Sequence, residues 1–474
     1  METQNKNISE IIKFSKEIIK TAYKKSNLTK LKSSYFVFHS GDNCSKKILV
    51  LLNAKHDKVY QYITTAVNKG AIGIITDCKI NEKKLNIKVS ILVLKKLALC
   101  LNSFLEYLHN DPLANKFIIG VTGTDGKTSC VHLLAQSFNY LGKTIGIISS
   151  EGNGEYSNLK KNMYTTPPPH ILFKYFSEFR KKNIDIIIIE CSSQGLDQNR
   201  LKNIKFNQSI ITNITKDHLE YHKTLNHYMK SKVKLIDMTS DKIYLNKDCS
   251  STKKIINMFK TKAQIIYYKL DNEIKFKNLN LDDNLPTRYN LSSIASVLKG
   301  MNISSSKICK VFKKLNPVTG RNNYIVTDEN ISFYVDYAHT SQSLKILLEG
   351  IKRKYSDSSF NLITIFGCGG NRDVAKRSLM GSIAEKYSNT IILTDDNPRN
   401  EDSNKIINDI CSGINDKNKL IIIPNRKRAI RKAVSIAKKN DIVVLAGKGN
   451  EDVIIYGANT VKHNDLKYLR SVIK

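Results

Sequence analysis

Residues 118–129 read IIGVTGTDGKTS: a short apolar run, a glycine-rich turn and a Lys-Thr pair. The residues that follow, up to Gly142, repeat apolar side chains at helical spacing. This order is typical of a buried strand that leads through a tight turn into a helix. Glycines at 123 and 126 let backbone N–H groups at the helix start approach an anion closely. The stretch therefore predicts a phosphate-binding turn, with Lys127 near the terminal phosphates and the Thr128 hydroxyl on a Mg²⁺ ion.

The turn departs from the strict G-x-x-x-x-G-K-[ST] pattern, because Gly120 lies one residue too far upstream. An ordinary strand-to-helix turn is the alternative interpretation. The strand, the Lys-Thr pair and the helix together favour binding of a nucleoside triphosphate. The residues assigned to this site are Gly123, Thr124, Asp125, Gly126, Lys127, Thr128 and Ser129.

The length and composition indicate a cytoplasmic protein of several domains. With 474 residues the chain exceeds one typical core, so two or three domains are expected. No segment approaches the ~20 uninterrupted apolar residues of a membrane span, and the N-terminus lacks a signal peptide's apolar stretch. We therefore expect no membrane association. The nine cysteines show no metal-binding spacing and are expected to be free thiols.

The net charge of +34 raises the alternative of a basic, nucleic-acid-binding protein. The lysines are spread along the whole chain, however, and Asn and Ile are also abundant. Such a bias is typical of a genome's nucleotide composition. We expect no nucleic-acid partner, although the surface would attract anionic substrates.

Several apolar runs have the length of strands and end in polar residues. They are IDIIIIE (184–190), SIITNIT (209–215), FYVDYAH (333–339), NLITIFG (361–367), NTIILTDD (389–396) and DIVVLAG (441–447). Continuous rather than alternating apolar runs predict an α/β fold of parallel strands buried on both faces. In such folds ligands bind beyond the carboxyl ends of the strands. At or just after those ends lie Glu190, Asp336, Arg372, Asp396 and Lys448.

Some polar residues are ambiguous when each is taken alone. Glu190 fits either a Mg²⁺ ligand or a helix cap. The run DHLEYH has two histidines four apart but lacks the Glu of a zinc protease, so His218 is either a metal- or phosphate-positioning residue or a structural one. Lys232 alone predicts a solvated surface residue, and Asp-Asn-Pro-Arg at 396–399 predicts a turn.

Ten motifs occur in an order that resembles the Mur ligase family. They are GTDGKTS, TTPPP, ECSSQGLDQNR, TNITKDHLEYH, HYMKSK, GRNNY, VDYAHT, FGCGGNRD, TDDNPRNED and AGKGNED. The resemblance covers residues 112–460 and is faint before them. It implies three α/β domains: a UDP-precursor-binding domain at 1–111, a central P-loop ATPase domain with a parallel sheet at 112–318, and a Rossmann-like amino-acid-binding domain at 319–474. It also implies a monomer.

The resemblance further implies an ATP-dependent amide-bond ligase of peptidoglycan synthesis. ATP would phosphorylate the glutamate carboxylate of UDP-MurNAc-L-Ala-D-Glu, and an incoming amine would displace the phosphate through a tetrahedral intermediate. Chemistry of this kind depends mainly on positioning and charge neutralisation.

The resemblance carries roles onto single positions of the chain. The catalytic positions are Lys127, Lys232 and His218, and the Mg²⁺ positions are Thr128, Glu190, His218 and Lys232 as its anionic carbamate. Further ATP-binding positions are Asn290, Arg321 and Asp336, the last on the ribose. The positions for the UDP-muramyl dipeptide are Ser40, Thr165, Thr166, Ser192, Gln198 and Arg200.

The resemblance also implies the amino acid. The positions that match a meso-diaminopimelate pocket are Arg372, Asp396, Asn397, Pro398, Arg399, Gly447 and Glu451. Diaminopimelate differs from lysine by a distal carboxylate, which an arginine binds bidentately. With lysine bound, that arginine would lose its partner, so discrimination can reach about 10⁴.

Several positions depart from the family pattern. Asp125 stands where Asn is usual, Gln194 and Asn450 replace His, Ser293 replaces a second Asn, Asn371 replaces Asp, and His39-Ser40-Gly41 replaces Asp-Ser-Arg at the uridine. The alternatives are a related ligase that adds lysine, a folate-polyglutamate ligase and an inactive copy. The VDYAHT and DNPR segments argue against the folate alternative.

Overall fold

The structure, a computed structural model, describes residues 2–23, 28, 30–52, 54, 56–81, 85, 87–161, 164–270, 279–281, 283–356 and 358–473. The chain is a mixed α/β protein with largely parallel sheets. It divides into two compact units, the first made of residues 1–118, 146–187 and 194–206, and the second of residues 119–145, 188–193 and 207–474. None of the described helices is both long and apolar enough to cross a membrane.

The N-terminal part of the first unit contains a small parallel sheet. Its elements are α1 (Glu2–Tyr23), β1 (Phe36–Val37), β2 (Ile48–Leu51), α2 (His56–Asn68), β3 (Gly73–Thr76), β4 (Ser90–Val93) and α3 (Leu97–Leu108). The strands lie in the order β1-β2-β3-β4, and each adjacent pair is parallel. Val59 and Ile63 of α2 pack against Leu49 and Ile74 of the sheet. Strands β2 and β3 are buried along their whole length, as continuous apolar runs predict.

The middle of the chain contributes an eight-stranded sheet. Its elements are β5 (Phe117–Thr122), α4 (Lys127–Tyr140), β6 (Ile145–Ser149), β7 (Gly152–Glu155), β8 (Asn158–Lys160), α5 (Pro169–Lys181), β9 (Ile186–Glu190), α6 (Ser193–Asp197), β10 (Phe206–Ile211), α7 (Leu219–His222), α8 (Leu225–Asp237), β11 (Thr239–Asn246), α9 (Thr252–Ile256), β12 (Gln264–Tyr268), α10 (Leu285–Gly300) and α11 (Ser305–Phe312). The strand order is β12-β11-β10-β5-β9-β6-β7-β8. Strands β5 and β10 are parallel, whereas β6, β7 and β8 are antiparallel.

The C-terminal part forms a six-stranded sheet and a hairpin. Its elements are β13 (Asn323–Val326), β14 (Ser332–Asp336), α12 (Ser341–Lys354), β15 (Leu362–Phe366), α13 (Ala375–Tyr387), β16 (Thr390–Leu393), α14 (Ser403–Cys411), β17 (Leu420–Ile422), α15 (Arg426–Ile436), β18 (Ile442–Ala446), β19 (Val453–Tyr456), β20 (Asn459–Lys462) and α16 (Asp465–Val472). The sheet order is β13-β14-β18-β15-β16-β17, with β13 antiparallel at one edge. Strands β19 and β20 form the hairpin.

The six-stranded sheet is covered on both faces. Tyr334 and Val444 belong to a core with helices α12, α13 and α14, whereas their neighbours Val335 and Leu445 belong to a core with α15 and α16. Successive side chains of a strand point to opposite faces, so each strand must be apolar throughout. This burial explains the uninterrupted apolar runs of the sequence.

The predicted fold class is confirmed, and most predicted strands lie where the sequence places them. Several strands end before their predicted run does: β14 ends at Asp336, β16 at Leu393 and β10 at Ile211. Residues 212 and 213 instead hold the glycine-rich turn through hydrogen bonds. These hydrogen bonds explain why β10 ends before residue 215. The domain limits at residues 112 and 319 stay predictions.

Candidate active site

The glycine-rich turn has a conformation that only glycine adopts readily. Gly123 and Gly126 have φ values of +151° and +82°. A Cβ atom at position 123 would lie 1.8 Å from Thr212 Oγ1, and one at position 126 would lie 2.7 Å from Asn290 Oδ1. The turn is therefore packed tightly against two other segments, and α4 begins directly after it at Lys127.

Asn213 holds this turn in place. Its backbone oxygen accepts from the Thr124 N–H at 2.8 Å, and its side-chain oxygen accepts from the Asp125 N–H at 3.0 Å. The Lys127 ammonium donates to the Thr124 oxygen at 2.7 Å and so lies folded over the turn. The sequence pattern predicted the turn but not Asn213, since nothing local marks a residue that arrives from another strand end.

Thr128 and Glu190, two predicted Mg²⁺ ligands, are in direct contact. The Thr128 hydroxyl donates to Glu190 Oε1 at 3.0 Å, and both residues are buried. Arg321, predicted to bind ATP, donates to the same hydroxyl at 3.2 Å. Hydroxyl and carboxylate oxygens are the hard donors that Mg²⁺ prefers, so this pair fits that ion. Ser129 follows in the first turn of α4 and is partly buried.

Lys232 is buried, which corrects the surface position that its local sequence predicts. It is 1% exposed, and its ammonium donates to the Gly123 oxygen at 2.5 Å and lies 4.6 Å from the Tyr228 ring centre. Burial, together with the positive charge of Lys127, holds the pKa of Lys232 well below its usual range. The amphipathic pattern of α8 did not predict this burial, because the long aliphatic stem of a lysine also fits on the apolar side of a helix.

His218 lies in the left-handed region, with φ of +53°, at the start of α7. Its described contacts are with carboxylates: Nε2 lies 3.3 Å from Asp217 and Nδ1 lies 3.5 Å from Glu220. Burial alone would raise the pKa of Asp217, but His218 and His339 outweigh it and lower the pKa to about 2. The sequence interpretation missed Asp217, although a carboxylate beside a singled-out histidine was a usable signal.

Glu220 joins two residues that were predicted for different ligands. Its Oε1 atom lies 3.5 Å from His218 Nδ1 and 3.4 Å from Arg372 Nη1. A predicted metal position and a predicted amino-acid position therefore share one carboxylate. Predicted metal-binding and predicted amino-acid-binding residues therefore lie in one polar region of the second unit.

The remaining predicted ATP positions are also in this unit. Asp336 ends β14, where its carboxylate accepts from the backbone N–H groups of Asn322 at 2.7 Å and Ala338 at 2.8 Å. Burial raises the pKa of Asp336. Asn290 accepts from the Cys130 thiol at 3.3 Å, and Ser293, which replaces a usual Asn, lies 3.4 Å from the same sulfur.

Two arginines mark the predicted amino-acid pocket. Arg399 has φ of +54° and donates to the backbone oxygens of Gly370 at 2.9 Å and Asn397 at 3.3 Å. Burial and the nearby charge of Arg372 lower the pKa of Arg399. Two guanidinium groups that repel each other at a partly buried loop are suited to an anionic group. Pro398 forms the wall opposite Gly370, where a Cβ atom would lie 1.8 Å from the Pro398 oxygen.

A buried lysine organises the other side of this pocket. The Lys448 ammonium donates to Asn397 Oδ1 at 3.0 Å, to the Val453 oxygen at 2.7 Å and to the Glu451 carboxylate. Asn397 in turn donates to Glu451 at 2.8 Å. The sequence placed Lys448 at a strand end but gave it no role.

Asp396 and Gly447 meet behind this lysine. A Cβ atom at position 447 would lie 2.8 Å from the Asp396 carboxylate. Burial raises the pKa of Asp396, although Lys448 opposes the shift. The two predicted pocket positions are thus in contact, and a side chain at 447 would displace the carboxylate.

The unusual residues Asn371 and Asn450 both have structural partners. The Asn371 N–H donates to Glu401 at 2.5 Å and its side chain accepts from the Asn400 N–H at 3.2 Å. Asn450 accepts from the Asn464 side chain at 3.2 Å. These substitutions keep the two loops tied to their neighbours.

Most of the predicted precursor-binding residues belong to the first unit. Arg200 donates to the Thr166 oxygen at 2.6 Å and to Gln198 Oε1 from two nitrogens, and its guanidinium lies 5.4 Å from the Tyr164 ring centre. Thr165 precedes Thr166 on the same loop, which leads into α5. Three of the predicted residues are therefore in direct contact.

The two other predicted precursor-binding residues, Ser40 and Ser192, lie next to different helices and strands. Ser40 is buried after β1, and its carbonyl oxygen lies 3.8 Å from the Cys44 sulfur. Ser192 lies in the second unit between β9 and α6, and Gln194, which replaces a usual His, lies within α6. Their roles stay predictions.

Family models match most of the second and third parts of the chain. The Mur ligase middle domain matches residues 121–324, and the Mur ligase glutamate ligase domain matches residues 320–449. The matches meet near Arg321, at the segment that leads from α11 into β13.

Two relatives and one solved structure carry the same name. The UDP-N-acetylmuramoyl-L-alanyl-D-glutamate–2,6-diaminopimelate ligase of Buchnera aphidicola subsp. Schizaphis graminum is 33% identical over 91% of this chain and 93% of its own. The protein of that name from Wigglesworthia glossinidia brevipalpis is 36% identical over 76% and 77%. A solved structure with the same name is 26% identical, with a TM-score of 0.60 over 92% of this chain and 94% of its own.

Proposed function

Because the chain belongs to the Mur ligase family, we propose that it is an ATP-dependent ligase that joins meso-diaminopimelate to UDP-MurNAc-L-Ala-D-Glu. The reaction forms an amide bond through an acyl phosphate, and its product is a peptidoglycan precursor. The observation that carries the proposal is that the Glu220 carboxylate contacts both His218, a predicted metal position, and Arg372, a predicted amino-acid position.

The glycine-rich turn supplies the ATP-binding part of this proposal. The start of α4 presents backbone N–H groups at a helix N-terminus, which favours phosphate. The Lys127 ammonium lies over the turn, and it would exchange its hydrogen bond to the Thr124 oxygen for one to a terminal phosphate. Thr128 and Glu190 would hold Mg²⁺, which supplies charge neutralisation of the phosphates when it is bound.

Lys232 would act as an anion, as the family resemblance implies. A neutral lysine amine adds CO₂ and releases a proton to give a carbamate, and the burial that lowers the pKa of Lys232 favours the neutral amine. The Lys232 amine lies 2.5 Å from the Gly123 oxygen, within the phosphate turn. A carbamate there would add hard oxygen donors to the Thr128–Glu190 pair. His218 would complete this side of the site.

The pocket between the arginines and Glu451 would select the amino acid. Arg399 and Arg372 provide positive charge for the distal carboxylate of diaminopimelate, and Glu451 provides negative charge for an ammonium group. Lysine has the ammonium group but not the carboxylate. The first unit would bind the precursor through Ser40, Thr165, Thr166, Gln198 and Arg200, and Ser192 stays a predicted precursor-binding position. We further propose that the ligase acts in the cytoplasm as a monomer.

The direct test combines purified protein with ATP, Mg²⁺, UDP-MurNAc-L-Ala-D-Glu and either meso-diaminopimelate or lysine. We expect phosphate release and a product of the tripeptide's mass with diaminopimelate only. Release with lysine alone would overturn the specificity, and a lack of product with both amino acids would contradict the ligase activity.

A further inference from the structure

Tyr337 lies between the predicted ATP-binding side and the predicted amino-acid pocket and contacts both. On one side, the Arg321 guanidinium lies 3.9 Å from the centre of the Tyr337 ring, at the distance of a cation–π contact. On the other side, the Tyr337 hydroxyl donates to Glu451 Oε1 at 3.3 Å.

The contacts continue in both directions from Tyr337. Arg321 donates to the Thr128 hydroxyl, which in turn donates to Glu190. Glu451 accepts from Asn397 and from Lys448. Seven side chains are thus connected, with Glu190, Thr128 and Arg321 on one side of Tyr337 and Glu451, Asn397 and Lys448 on the other.

Two glycines let backbone segments approach the Tyr337 ring closely. A Cβ atom at Gly449 would lie 2.9 Å from Tyr337 Cδ2, and one at Gly320 would lie 2.2 Å from the Asn450 N atom. The segment before Arg321 and the loop before Glu451 therefore pack against each other beside the ring.

We infer that Tyr337 is a positioning residue that couples nucleotide binding to amino-acid recognition. When Arg321 engages a nucleotide, its stacking on Tyr337 fixes the ring, and the hydroxyl then holds the Glu451 carboxylate toward the incoming ammonium. Two sites that bias one shared element affect each other's affinity reciprocally. The amino-acid part of this inference rests on the proposed function.

Two substitutions separate the two contacts of Tyr337. Tyr337→Phe keeps the ring beneath Arg321 and removes the hydrogen bond to Glu451. We expect the KM for diaminopimelate to rise about tenfold, the effect of one hydrogen bond to a charged group, while the KM for ATP changes less than twofold. Tyr337→Leu removes the ring as well, so the affinity for a non-hydrolysable ATP analogue with Mg²⁺ should also fall several-fold.

The coupling itself is measured by calorimetry. In the unmodified protein, saturating ATP analogue should tighten diaminopimelate binding at least fivefold, and in Tyr337→Phe this factor should approach one. Tyr334→Phe is the matched control, because this hydroxyl lies in the core beside α12, 3.1 Å from both the Tyr355 hydroxyl and the Lys354 ammonium. This control should keep the coupling factor.

The outcomes distinguish the inference from the proposed function. An active ligase whose coupling and KM values are unchanged in Tyr337→Phe would overturn the inference and leave the function intact. If the unmodified protein does not ligate diaminopimelate, the proposed function fails and the amino-acid half of the inference fails with it. The nucleotide affinity of Tyr337→Leu still decides the other half, and an unchanged affinity would overturn it.

Discussion

The Thr128 hydroxyl donates a 3.0 Å hydrogen bond to the Glu190 carboxylate, although Thr128 lies in α4, beyond the turn that follows β5, and Glu190 ends β9. Strands β5 and β9 are neighbours in the eight-stranded sheet, and the Cys191 N–H, just after β9, donates to the Val121 oxygen of β5 at 2.8 Å. Arg321 adds a third polar group to the pair. These three contacting side chains are the ones for which we propose binding of Mg²⁺ and ATP.

Replacing Lys127 by Ala should lower the rate of phosphate release by at least about 10², because the lysine is the cation placed over the phosphate turn. Steady-state turnover with saturating substrates measures the effect. Lys143→Ala, which removes an exposed lysine just beyond α4, is the control and should keep full activity. Near-normal turnover of Lys127→Ala would exclude the lysine from the phosphate site.

Replacing Arg399 by Ala should raise the KM for diaminopimelate by about 10² or more and leave the affinity for the UDP-linked precursor unchanged. Arg399→Lys should not restore the KM, since a lysine cannot bind a carboxylate bidentately. Arg353→Ala, at an exposed arginine of α12, controls for the loss of one surface charge. An unchanged preference for diaminopimelate over lysine would show that Arg399 is not the selector.

The local sequence predicted the elements that are defined by contiguous residues. Short patterns of spacing and side-chain type predict the glycine-rich turn, the buried strands and the helix from Lys127 to Tyr140. The same holds for residues at strand ends such as Glu190 and Asp336. Their positions follow from the parallel topology, which the uninterrupted apolar runs indicate.

Contacts between distant segments were not predictable in this way. Asn213 supports the phosphate turn from the next strand, Tyr337 lies between Arg321 and Glu451, and Lys232 enters the core from a helix that looks amphipathic. Each depends on which segments meet in space, and a single sequence does not contain that information. The family resemblance identified Lys232 because it compares whole motifs, not local spacing.

Asp125 should make both nucleotide binding and stability depend on pH. Burial, opposed in part by Lys127, raises its pKa to about 6. A carboxyl whose pKa is raised in the folded state stabilises the protein when protonated, so its contribution is present below about pH 4 and is lost as the pH rises through about 6. The charged form also repels phosphate.

Asp125→Asn should therefore remove this dependence. We expect the free energy of unfolding at pH 7.5 to increase by on the order of 2 kcal/mol relative to the unmodified protein, with no difference at pH 4. The affinity for metal-free ATP at pH 7.5 should also increase. Urea unfolding and nucleotide titration at several pH values measure both effects. Asp328→Asn, at an exposed carboxylate in the turn between β13 and β14, is the control. Parallel pH profiles of Asp125→Asn and the unmodified protein would contradict the raised pKa.

Arg426 and Asp465 form a fully buried ion pair beside the amino-acid pocket. Arg426 donates to the two Asp465 oxygens at 2.8 and 2.6 Å and to the Ala446 backbone oxygen at 2.9 Å, just before Gly447. Burial would raise the pKa of Asp465, but Arg426 and His463 outweigh it and hold the pKa well below its usual range. The carboxylate is thus charged in the core.

Arg426→Met should destabilise the protein by about 3–5 kcal/mol, because it leaves the Asp465 charge buried without its main partner. The double variant Arg426→Met, Asp465→Leu removes both charges and should regain much of that loss, since an apolar pair of similar size needs no compensation. Urea unfolding at pH 7 measures both variants, and Arg428→Met at the exposed face of α15 is the control. An equal free energy of unfolding for the single and double variants would show that other groups compensate the Asp465 charge. The buried pair would then have no net role in holding the strand end before Gly447.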